Sequence, residues 1–464
     1  MVDLLVIGGG INGAGIARDA AGRGLATVLV ERGDLAGATS SASSKLIHGG
    51  LRYLEQFEFR LVREALAERE ILLRVAGHLA WPLRFVIPHV PELRPRWMIR
   101  TGLFLYDHLA RRSVLAASQP VRLDAPPYSS GLRPGLKHGF AYADCRVDDA
   151  RLVIVNALDA ARRGARVLVR TECLAARRQD GVWRARLSNG EELRARAIVN
   201  AAGPWAKQVL NERLDQPSEE AVRLVKGSHI VVPKLYDGEH AFILQNDDRR
   251  VVFMIPYEER FTLVGTTDVT VGEADVGAAS EVEVDYLCHA VNRYLGRPVD
   301  RSAVVWSYAG VRPLHDDGSA DPSAVTRDYI LRVDAAGGAP ALSVFGGKIT
   351  TYRRLAEEPL ERLGRYFPAM QKPWTHAVPL PGSGFASRSE ARRQVFERYR
   401  GLPESVVRGL VGEHYGAGLT ERELRHFVER EWAASAEDVL WRRTKCGLHM
   451  SAAERARVAQ AIGR

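Results

Sequence analysis

The opening stretch of the chain, which ends at Glu31, constrains the fold more than any other part of the sequence. An apolar run over residues 2–7 is followed by Gly8, Gly10 and Gly13 in GxGxxG spacing, then by small residues and a second apolar run that ends at the acid. In such a strand–turn–helix–strand unit, the first glycine allows a tight turn, the second admits a pyrophosphate, and the third lets helix and strand pack closely. The helix N-terminus faces the phosphates, and the acid accepts hydrogen bonds from a ribose. The pattern predicts a Rossmann-like domain that binds a dinucleotide.

Two later segments indicate which dinucleotide is bound. RARAIVNAAGPW (194–205) reads as a strand ending in a turn of small residues, and SVFGGKITT (343–351) reads as a strand, a glycine pair and a helix start. Three separate segments that return to one ligand imply a long, deeply held cofactor, which favours FAD over a diffusible NAD. The candidate cofactor residues in the two later segments are Ala201, Ala202, Gly203, Trp205, Gly347, Lys348, Ile349 and Thr350.

Composition narrows the class of protein. The 464 residues are 46% hydrophobic and 26% charged, which is typical of a folded chain with more than one domain. The four cysteines are far apart, so we expect neither a disulfide framework nor a metal site. The first apolar run is too short for a signal peptide, and no run approaches the ~20 apolar residues of a membrane span, so we expect a cytoplasmic protein. A net charge of +9 is compatible with nucleic acid, an anionic membrane surface or a small anionic substrate.

Further motifs follow one another along the chain: GGGINGAGIARDAAGRGL, ATSSASSKLIHGGLRYLE, FRLVREALAERE, KGSHIVVP, VGTTD, YAGVRPL, TRDY and SVFGGKITTYRRLAE. Together with WRRTKCGL near the C-terminus, they closely resemble the FAD-dependent glycerol-3-phosphate dehydrogenases, the bacterial respiratory enzymes of glycerol metabolism. The resemblance runs from about residue 2 to residue 365 and returns at 441–448.

Motifs and patterning together predict an α/β fold with three parts: a Rossmann-like FAD-binding domain of the glutathione-reductase/D-amino-acid-oxidase type, an antiparallel-sheet substrate domain and a small helical C-terminal domain. Alternation in HIVVP, RRVVFMIPY and RFTLVGTTD predicts the antiparallel sheet. Helical periodicity over 387–400, 419–433 and 435–445, with a capping-box pattern at Thr420 and Glu423, predicts the C-terminal domain. The predicted boundaries are 1–75, 140–215 and 305–365 for the FAD-binding domain, 76–139 and 216–304 for the substrate-binding or cap domain, and 385–464 for the helical domain.

The resemblance also assigns cofactor residues outside the later segments. It implies that ATSSASSKLIHGGLRYLE lies along the FAD between the pyrophosphate and the flavin ring, with serines as donors and the two glycines passing the ring. The candidates in the first half of the chain are Gly8, Gly10, Ile11, Asn12, Gly13, Glu31, Arg32, Thr39, Ser40, Ser43, Ser44, Leu46, His48, Gly49, Gly50 and Cys173.

The family reaction oxidises sn-glycerol 3-phosphate to dihydroxyacetone phosphate, with a hydride leaving C2 for the flavin. The resemblance implies that Arg312 in GVRP, Arg327 in TRDY and Arg52 serve the substrate, since the planar fork of arginine suits a phosphate. Lys348 follows a glycine pair at a helix start, where its charge would serve either flavin N1 or the substrate.

The reaction also needs a base for the proton of the C2 hydroxyl. His229 in KGSHIVVP is the first candidate and His48 the second, because the pKa of histidine suits proton transfer near neutrality. Tyr53 either positions the substrate or packs beside the ring, and the sequence leaves both roles open.

The resemblance implies that a membrane quinone accepts the electrons, so the protein would lie peripherally on the inner face of the cell membrane. The segment 94–112 is the candidate contact with an anionic membrane surface, because a helix from Arg96 would place Arg96, Arg100 and Arg111 near one another beside Trp97 and Phe104. A cap-domain helix with a buried apolar side is the alternative interpretation. Homodimer formation is left open by the sequence.

Two rival functions are weighed against this prediction. A glycerol-3-phosphate oxidase would pass its electrons to oxygen and make peroxide, and no local motif separates it from the dehydrogenase. A nucleic-acid-binding flavoprotein would suit the positive charge, but the basic residues are spread along the chain without an aromatic-interleaved cluster. We therefore expect no nucleic-acid partner.

Overall fold

The computed structural model of the 464-residue chain describes residues 1–216, 220, 222–248, 250–275, 277–315, 328–383, 405–406, 409 and 412–463. Across these ranges, no helix is both long enough and apolar enough to cross a bilayer. The strands are Val2–Ile7 (β1), Thr27–Glu31 (β2), Leu46–Ile47 (β3), Ala80–Pro88 (β4), Gln119–Arg122 (β5), His138–Val147 (β6), Arg166–Val169 (β7), Cys173–Gln179 (β8), Val182–Leu187 (β9), Glu192–Asn200 (β10), Val222–Pro233 (β11), Ala241–Gln245 (β12), Val251–Tyr257 (β13), Phe261–Gly265 (β14), Val269–Val271 (β15), Trp306–His315 (β16), Ile330–Asp334 (β17), Ala341–Phe345 (β18), His414–Gly416 (β19) and Leu419–Thr420 (β20).

Helices and short helical turns connect the strands. The α-helices are Ile11–Gly22 (α1), Phe59–Val75 (α2), Arg96–His108 (α3), Asp149–Arg162 (α4), Ala206–Gln208 (α5), Glu281–Asn292 (α6), Tyr352–Leu363 (α7), Glu421–Arg430 (α8) and Ala452–Ile462 (α9). Short 3₁₀ turns lie at Thr39–Ser41, Leu51–Gln56, Gly203–Trp205, Arg301–Ala303, Ile349–Thr351, Gly364–Tyr366 and Cys446–Leu448, and π-helical turns at Val209–Arg213 and Asp438–Arg443.

The first sheet has eight strands within the described residues, in the order β17-β18-β10-β1-β2-β7, with β9 beside β10 and β8 beside β9. β1 runs parallel to β2 and β10, and β10 runs parallel to β18. Leu4 and Val6 face the helices α1, α4 and α7, whereas Leu5 and Ile7 face the β8–β9 hairpin. Both faces are therefore buried, which explains the continuous apolar runs of this sheet.

The register of the parallel strands positions the three glycine-containing segments. Ile7 lies beside Asn200, and Asn200 lies beside Ser343. Because parallel strands end at the same edge of a sheet, the turns that follow β1, β10 and β18 lie side by side. The predicted convergence of these segments follows from this register.

The second sheet has ten strands within the described residues, in the order β15-β11-β14-β13-β12-β4-β6-β3, with β16 beside β11 and β5 beside β6. All of its pairings are antiparallel except β4 with β12. One face packs on α6, where Leu287 and Val291 meet Ile230, and the other face packs on α2 and α3 through Leu66 and Leu103. The predicted α/β class with an antiparallel-sheet domain is confirmed.

The chain passes between the two sheets more often than the predicted domain boundaries imply. Most of β6 and all of β16 fall inside ranges predicted for the FAD-binding domain, yet both strands belong to the second sheet. The domain boundaries themselves stay a prediction.

The C-terminal unit, residues 412–463, has a small core of its own that includes Leu424, Phe427, Val439 and Val458. The predicted capping box of Thr420 is present at the start of α8. The helix predicted over 387–400 lies outside the described residues. The helix predicted over 435–445 is instead the shorter π-helical turn Asp438–Arg443, which Thr444 ends by returning to extended backbone.

A buried ion pair anchors the serine-rich segment to the first sheet's helices. Lys45 Nζ lies 3.0 Å from both carboxylate oxygens of Asp149 at the start of α4, and the two side chains are 3% and 0% exposed. Ser43 Oγ donates to the same carboxylate at 2.7 Å. Burial lowers the pKa of Lys45, and Asp149 opposes that change. The pair thus holds a loop without regular structure in one conformation.

We expect Asp149→Ala to lower the free energy of unfolding by about 3–5 kcal/mol, because it leaves the Lys45 charge buried without a partner. The measurement is urea denaturation followed by far-UV circular dichroism. Asp124→Ala is the matched control, because the Arg122–Asp124 pair is exposed and should contribute little. Equal losses in the two variants would contradict the proposed importance of the buried pair.

Candidate active site

A cavity of about 1060 Å³ opens between the glycine turns of the first sheet and the floor of the second sheet. Most of the residues predicted from the sequence line it, and those residues are Gly8, Gly10, Ile11, Asn12, Glu31, Arg32, Thr39, Ser40, Ser43, Ser44, Leu46, His48, Gly50, Arg52, Tyr53, Cys173, Ala201, Ala202, Gly203, Trp205, His229, Arg312, Gly347, Lys348, Ile349 and Thr350. Gly13 and Gly49 are not in its wall, and Arg327 lies outside the described residues.

The glycine turn after β1 is packed so tightly that side chains would not fit. Gly8 has φ +112°, and a Cβ there would lie 2.5 Å from the carbonyl oxygen of Ala201. A Cβ on Gly13 would lie 1.8 Å from the carbonyl oxygen of Gly8. Gly13 therefore brings α1 against the turn, and its absence from the cavity wall agrees with that packing role.

Glu31 closes the same turn from the end of β2. Its Oε2 accepts from the Gly9 N–H at 2.6 Å, and its Oε1 accepts from the Gly33 N–H at 2.8 Å. Burial raises the pKa of Glu31, and the two N–H donors oppose that rise. The Ile11 N–H at the start of α1 donates to Ser40 Oγ at 2.9 Å, which joins the helix N-terminus to the serine segment.

The first and third glycine segments are joined through Asn12. Its Nδ2 donates to the Gly346 carbonyl at 3.2 Å, while its Oδ1 is buried with no hydrogen-bond partner among the described residues. A Cβ on Gly347, where φ is +101°, would lie 2.6 Å from Leu355 Cδ1. Close-packed glycines, a helix N-terminus, a strand-end acid and an unpaired acceptor fit a dinucleotide cofactor. FAD would be held by these turns and by the serine segment.

The serine segment is fixed on the second sheet as well. Thr39 Oγ1 donates to the Val311 carbonyl at 2.6 Å, and the Tyr308 hydroxyl donates to the Ser43 carbonyl at 2.8 Å. The Gly49 N–H donates to the Tyr106 hydroxyl at 2.8 Å, and that hydroxyl donates to Asp144 at 2.6 Å. Gly49 therefore faces α3 and lies outside the cavity wall.

His229 is enclosed. The side chain is 1% exposed, its Nε2 is 2.8 Å from Ser44 Oγ, and its Nδ1 is buried with no partner in the described part of the chain. Its ring stacks on Tyr308 at 4.9 Å between centroids. Burial, with Arg312 and Lys45 adding to it, lowers the pKa of His229 well below 6.5. The imidazole is therefore neutral, and an added proton would be strongly disfavoured.

His48 is half-buried and lines the cavity. Its backbone exchanges hydrogen bonds with Thr350 Oγ1, which joins the serine segment to the start of α7. Its ring forms no hydrogen bond to any residue that the structure describes and lies 6.3 Å from the Phe253 ring. Burial lowers the pKa of His48; Asp144 opposes that change and Lys348 adds to it.

Cationic side chains line the cavity together with His48 and His229. Arg312 Nη1 is paired with Asp268, and its Nη2 donates to Thr266 Oγ1 at 3.1 Å. A Cβ on Gly227 would lie 2.3 Å from that guanidinium, so the glycine makes room for it. Lys348 Nζ lies 4.2 Å from the centroid of the Tyr53 ring. Together with Arg52, these groups give one end of the cavity a positive character suited to a phosphate.

Several residues of the cavity wall were missed by sequence reasoning. They include Asp34, Arg170, Phe253, Asp268, Ala434, Ser435, Asp438 and Arg442. Asp268 ends the quoted motif VGTTD, and Arg442 belongs to WRRTKCGL, so the motifs held a signal for both. The others carry no local signal, because only the folded chain brings them to the cavity.

Comparison with known proteins places this site in a family. Residues 3–353 match the FAD dependent oxidoreductase family, DAO. A glycerol-3-phosphate dehydrogenase of Pseudomonas aeruginosa is 51% identical, with 99% of this chain and 94% of that protein aligned. A D-erythritol 1-phosphate dehydrogenase of Brucella abortus is 50% identical, with 98% and 96% aligned.

The chain belongs to the FAD-dependent glycerol-3-phosphate dehydrogenase family. The solved structure of a glycerol-3-phosphate dehydrogenase from Bacillus halodurans complexed with FAD has a TM-score of 0.72 to this chain and 26% identity, covering 100% of this chain and 94% of that one. The predicted family, fold class and FAD cofactor are thus confirmed. The roles of individual site residues stay predictions.

We expect Gly8→Ala to lower the FAD content of the purified protein severely, because the new Cβ would press against the Ala201 backbone that forms the other side of the cradle. The readout is the ratio of flavin to protein absorbance. Gly338→Ala is the matched control, since Gly338 has φ +106° but nothing within 4 Å of a Cβ. Equal FAD loss in both variants would assign the effect to backbone strain and contradict the packing argument.

Proposed function

We propose that this protein oxidises sn-glycerol 3-phosphate to dihydroxyacetone phosphate with FAD and passes the electrons to a quinone at a membrane surface. The observation that carries the proposal is one cavity whose wall holds both the dinucleotide cradle and the side chains of Arg52, Arg312, Lys348 and His48. The name of the Pseudomonas aeruginosa relative supports glycerol 3-phosphate as the substrate.

The cations bind and orient the substrate phosphate. Asp268 and Thr266 hold the Arg312 guanidinium in one orientation, so its planar donors are preorganised for an anion. Lys348 extends from the start of the Ile349–Thr351 turn and supplies a second charge on the same side. FAD, when bound, supplies the acceptor for the hydride from C2. A phosphate bound at a fixed place sets where the C2 hydroxyl lies relative to the polar side chains of the wall, which include His48 and His229.

Of the two histidines that line the cavity, we assign His48 as the base. A base must meet the hydroxyl directly, and the His48 ring is half-buried at the cavity without a hydrogen bond to the described residues. His229 has one ring nitrogen at Ser44 and the other enclosed, so its burial favours a positioning role. This assignment reverses the order of preference drawn from the sequence.

We expect His48→Asn to lower the rate of flavin reduction by about 10²–10⁴-fold while FAD remains bound. Because the pKa of His48 is lowered from 6.5, its neutral, proton-accepting form persists to lower pH. The parent rate should therefore be level around neutrality and fall only below pH 6.5. Stopped-flow absorbance across pH measures both effects.

His229→Asn is the control for this assignment. It should alter binding or stability while the fall in rate at low pH remains. If His48→Asn keeps the parent rate and His229→Asn loses both the rate and its pH dependence, His229 is the base.

The substrate specificity of this site concerns the choice between a three-carbon and a four-carbon polyol phosphate. The Brucella abortus relative is named for a four-carbon polyol phosphate and is about as similar to this chain as the three-carbon enzyme. Both substrates share a phosphate and a neighbouring secondary hydroxyl, so the cation cluster alone does not separate them.

Anaerobic spectroscopy tests the substrate and the acceptor together. Glycerol 3-phosphate should bleach the oxidised flavin faster than D-erythritol 1-phosphate does, and the flavin should stay bleached in air until a quinone is added. Faster bleaching by the erythritol compound would replace the substrate assignment. Rapid recolouring in air with peroxide release would make the protein an oxidase, and no bleaching by either compound would contradict both substrates.

The outer face of α3 supports contact with a membrane surface. Trp97 is 71% and Phe104 54% exposed, and Phe57 on the neighbouring turn is 79% exposed. Arg96 and Arg100 are exposed on the same helix. Its inner face holds Gly49 through Tyr106, so the exposed apolar surface lies close to the segment that lines the cavity. A basic, aromatic helix face of this kind suits an anionic bilayer.

We expect the double variant Trp97→Ala, Phe104→Ala to bind vesicles containing anionic lipid at least about tenfold more weakly, because two large apolar side chains no longer enter the interface. Vesicle co-sedimentation is the measurement, with activity toward a soluble acceptor unchanged. Val282→Ala removes a 78% exposed apolar residue from α6 and should leave binding as it was. Equal effects in both proteins would contradict a specific contact through α3.

A further inference from the structure

The C-terminal unit reaches the cofactor cavity. Its residues Ala434, Ser435, Glu437, Asp438 and Arg442 line the same cavity as the glycine turns. The family match ends at residue 353 and the Rossmann motif lies at the start of the chain. Neither of them includes the C-terminal unit. The unit therefore forms part of the cavity wall through residues that neither the family match nor the motif includes.

Two arginines of the unit converge on the carboxylate of Asp34, which lies in the loop after β2. Arg442 Nε donates to Asp34 Oδ2 at 2.5 Å, and Arg443 Nη1 is paired with the same oxygen. Asp34 is 5% and Arg443 0% exposed, so this contact is screened little by salt. Arg170 reaches in the opposite direction and donates to Asp438 Oδ2 at 2.6 Å. Each of the two parts thus contributes arginine that pairs with a carboxylate of the other part.

Further contacts hold the unit in place away from the cavity. Glu431 is paired with Arg151 of α4. The Trp441 ring stacks on Trp306 of β16, with 4.5 Å between centroids and 20° between planes. The unit is therefore anchored on helix α4 and on the second sheet, and the segment 434–442 is held at the cavity edge from both sides.

The position of this wall identifies the half of FAD that it faces. In a Rossmann unit, the acid at the end of the second strand serves the ribose of the nucleoside. Glu31 is that acid here, and Asp34 follows it in the same loop. His48 and Lys348 lie at the other end, with the substrate groups. The C-terminal wall is thus on the nucleoside side.

We propose that the C-terminal unit is part of the cofactor site: the segment 434–442 covers the nucleoside half of FAD, and the Arg442–Asp34–Arg443 and Arg170–Asp438 ion pairs hold this cover closed. Its effect is retention of the cofactor, since a covered nucleoside leaves only after the ion pairs open. Arg442 is a positioning residue in this scheme.

Release of FAD from the holoenzyme tests the proposal, followed by the rise in flavin fluorescence after dilution. Arg442→Ala should speed release at least about tenfold, the scale of one charge-assisted contact. The visible spectrum of the bound flavin should be unchanged, because the cover lies at the other end. Arg425→Ala is the matched control, since it removes an exposed arginine of the same unit that pairs with Glu421.

A steric variant tests the cover without breaking an ion pair. Ala434 is exposed at the cavity wall, so Ala434→Trp should also speed release, whereas Ala453→Trp on the exposed start of α9 should not. Far-UV circular dichroism establishes that each variant is folded. Parent-like release from folded Arg442→Ala and Ala434→Trp would overturn the proposal, and if Arg442→Ala does not fold, the two tryptophan variants decide.

Discussion

The parallel pairing of β1 with β10, and of β10 with β18, is the interaction on which the rest of the site depends. Its register places Ile7, Asn200 and Ser343 side by side, so three turns from distant parts of the chain form one cradle. The contact is so close that Gly8 and Gly13 tolerate no Cβ. Any residue that widened this packing would separate the cofactor-binding turns from one another.

Two histidines beside the second sheet differ in how deeply their rings are buried. His229 and His48 both line the cavity and both have lowered pKa values, but the His229 ring is buried between Ser44 and Tyr308, whereas the His48 ring is half-buried. Buried ion pairs hold the loops of the site in place. Lys45 with Asp149, and Asp34 with two arginines, fix segments that have little regular structure of their own. Electrostatics in a dry environment therefore positions the parts that the strands do not.

Much of the fold and the cradle could be predicted from the sequence, because their signals are local. The Gly8–Gly13 spacing and the acid Glu31 follow one another within a single supersecondary unit, and most of the site residues predicted from the quoted motifs line the cavity. The sequence favours His229 over His48 as the base but does not show how deeply each ring is buried, since burial of a side chain depends on what packs over it. The sequence also did not predict that strand β16 belongs to the second sheet, because its pairing partner β11 lies far away in sequence.

The sequence by itself determined the α/β class, the family and the FAD cofactor, since glycine spacing and residue type directly limit backbone approach and hydrogen bonding. Only the tertiary structure decided that α3 exposes Trp97 and that Arg442 reaches Asp34. Those contacts join residues with no shared local pattern. Their physical basis is the complementarity of shape and charge between surfaces that exist only after the chain has folded.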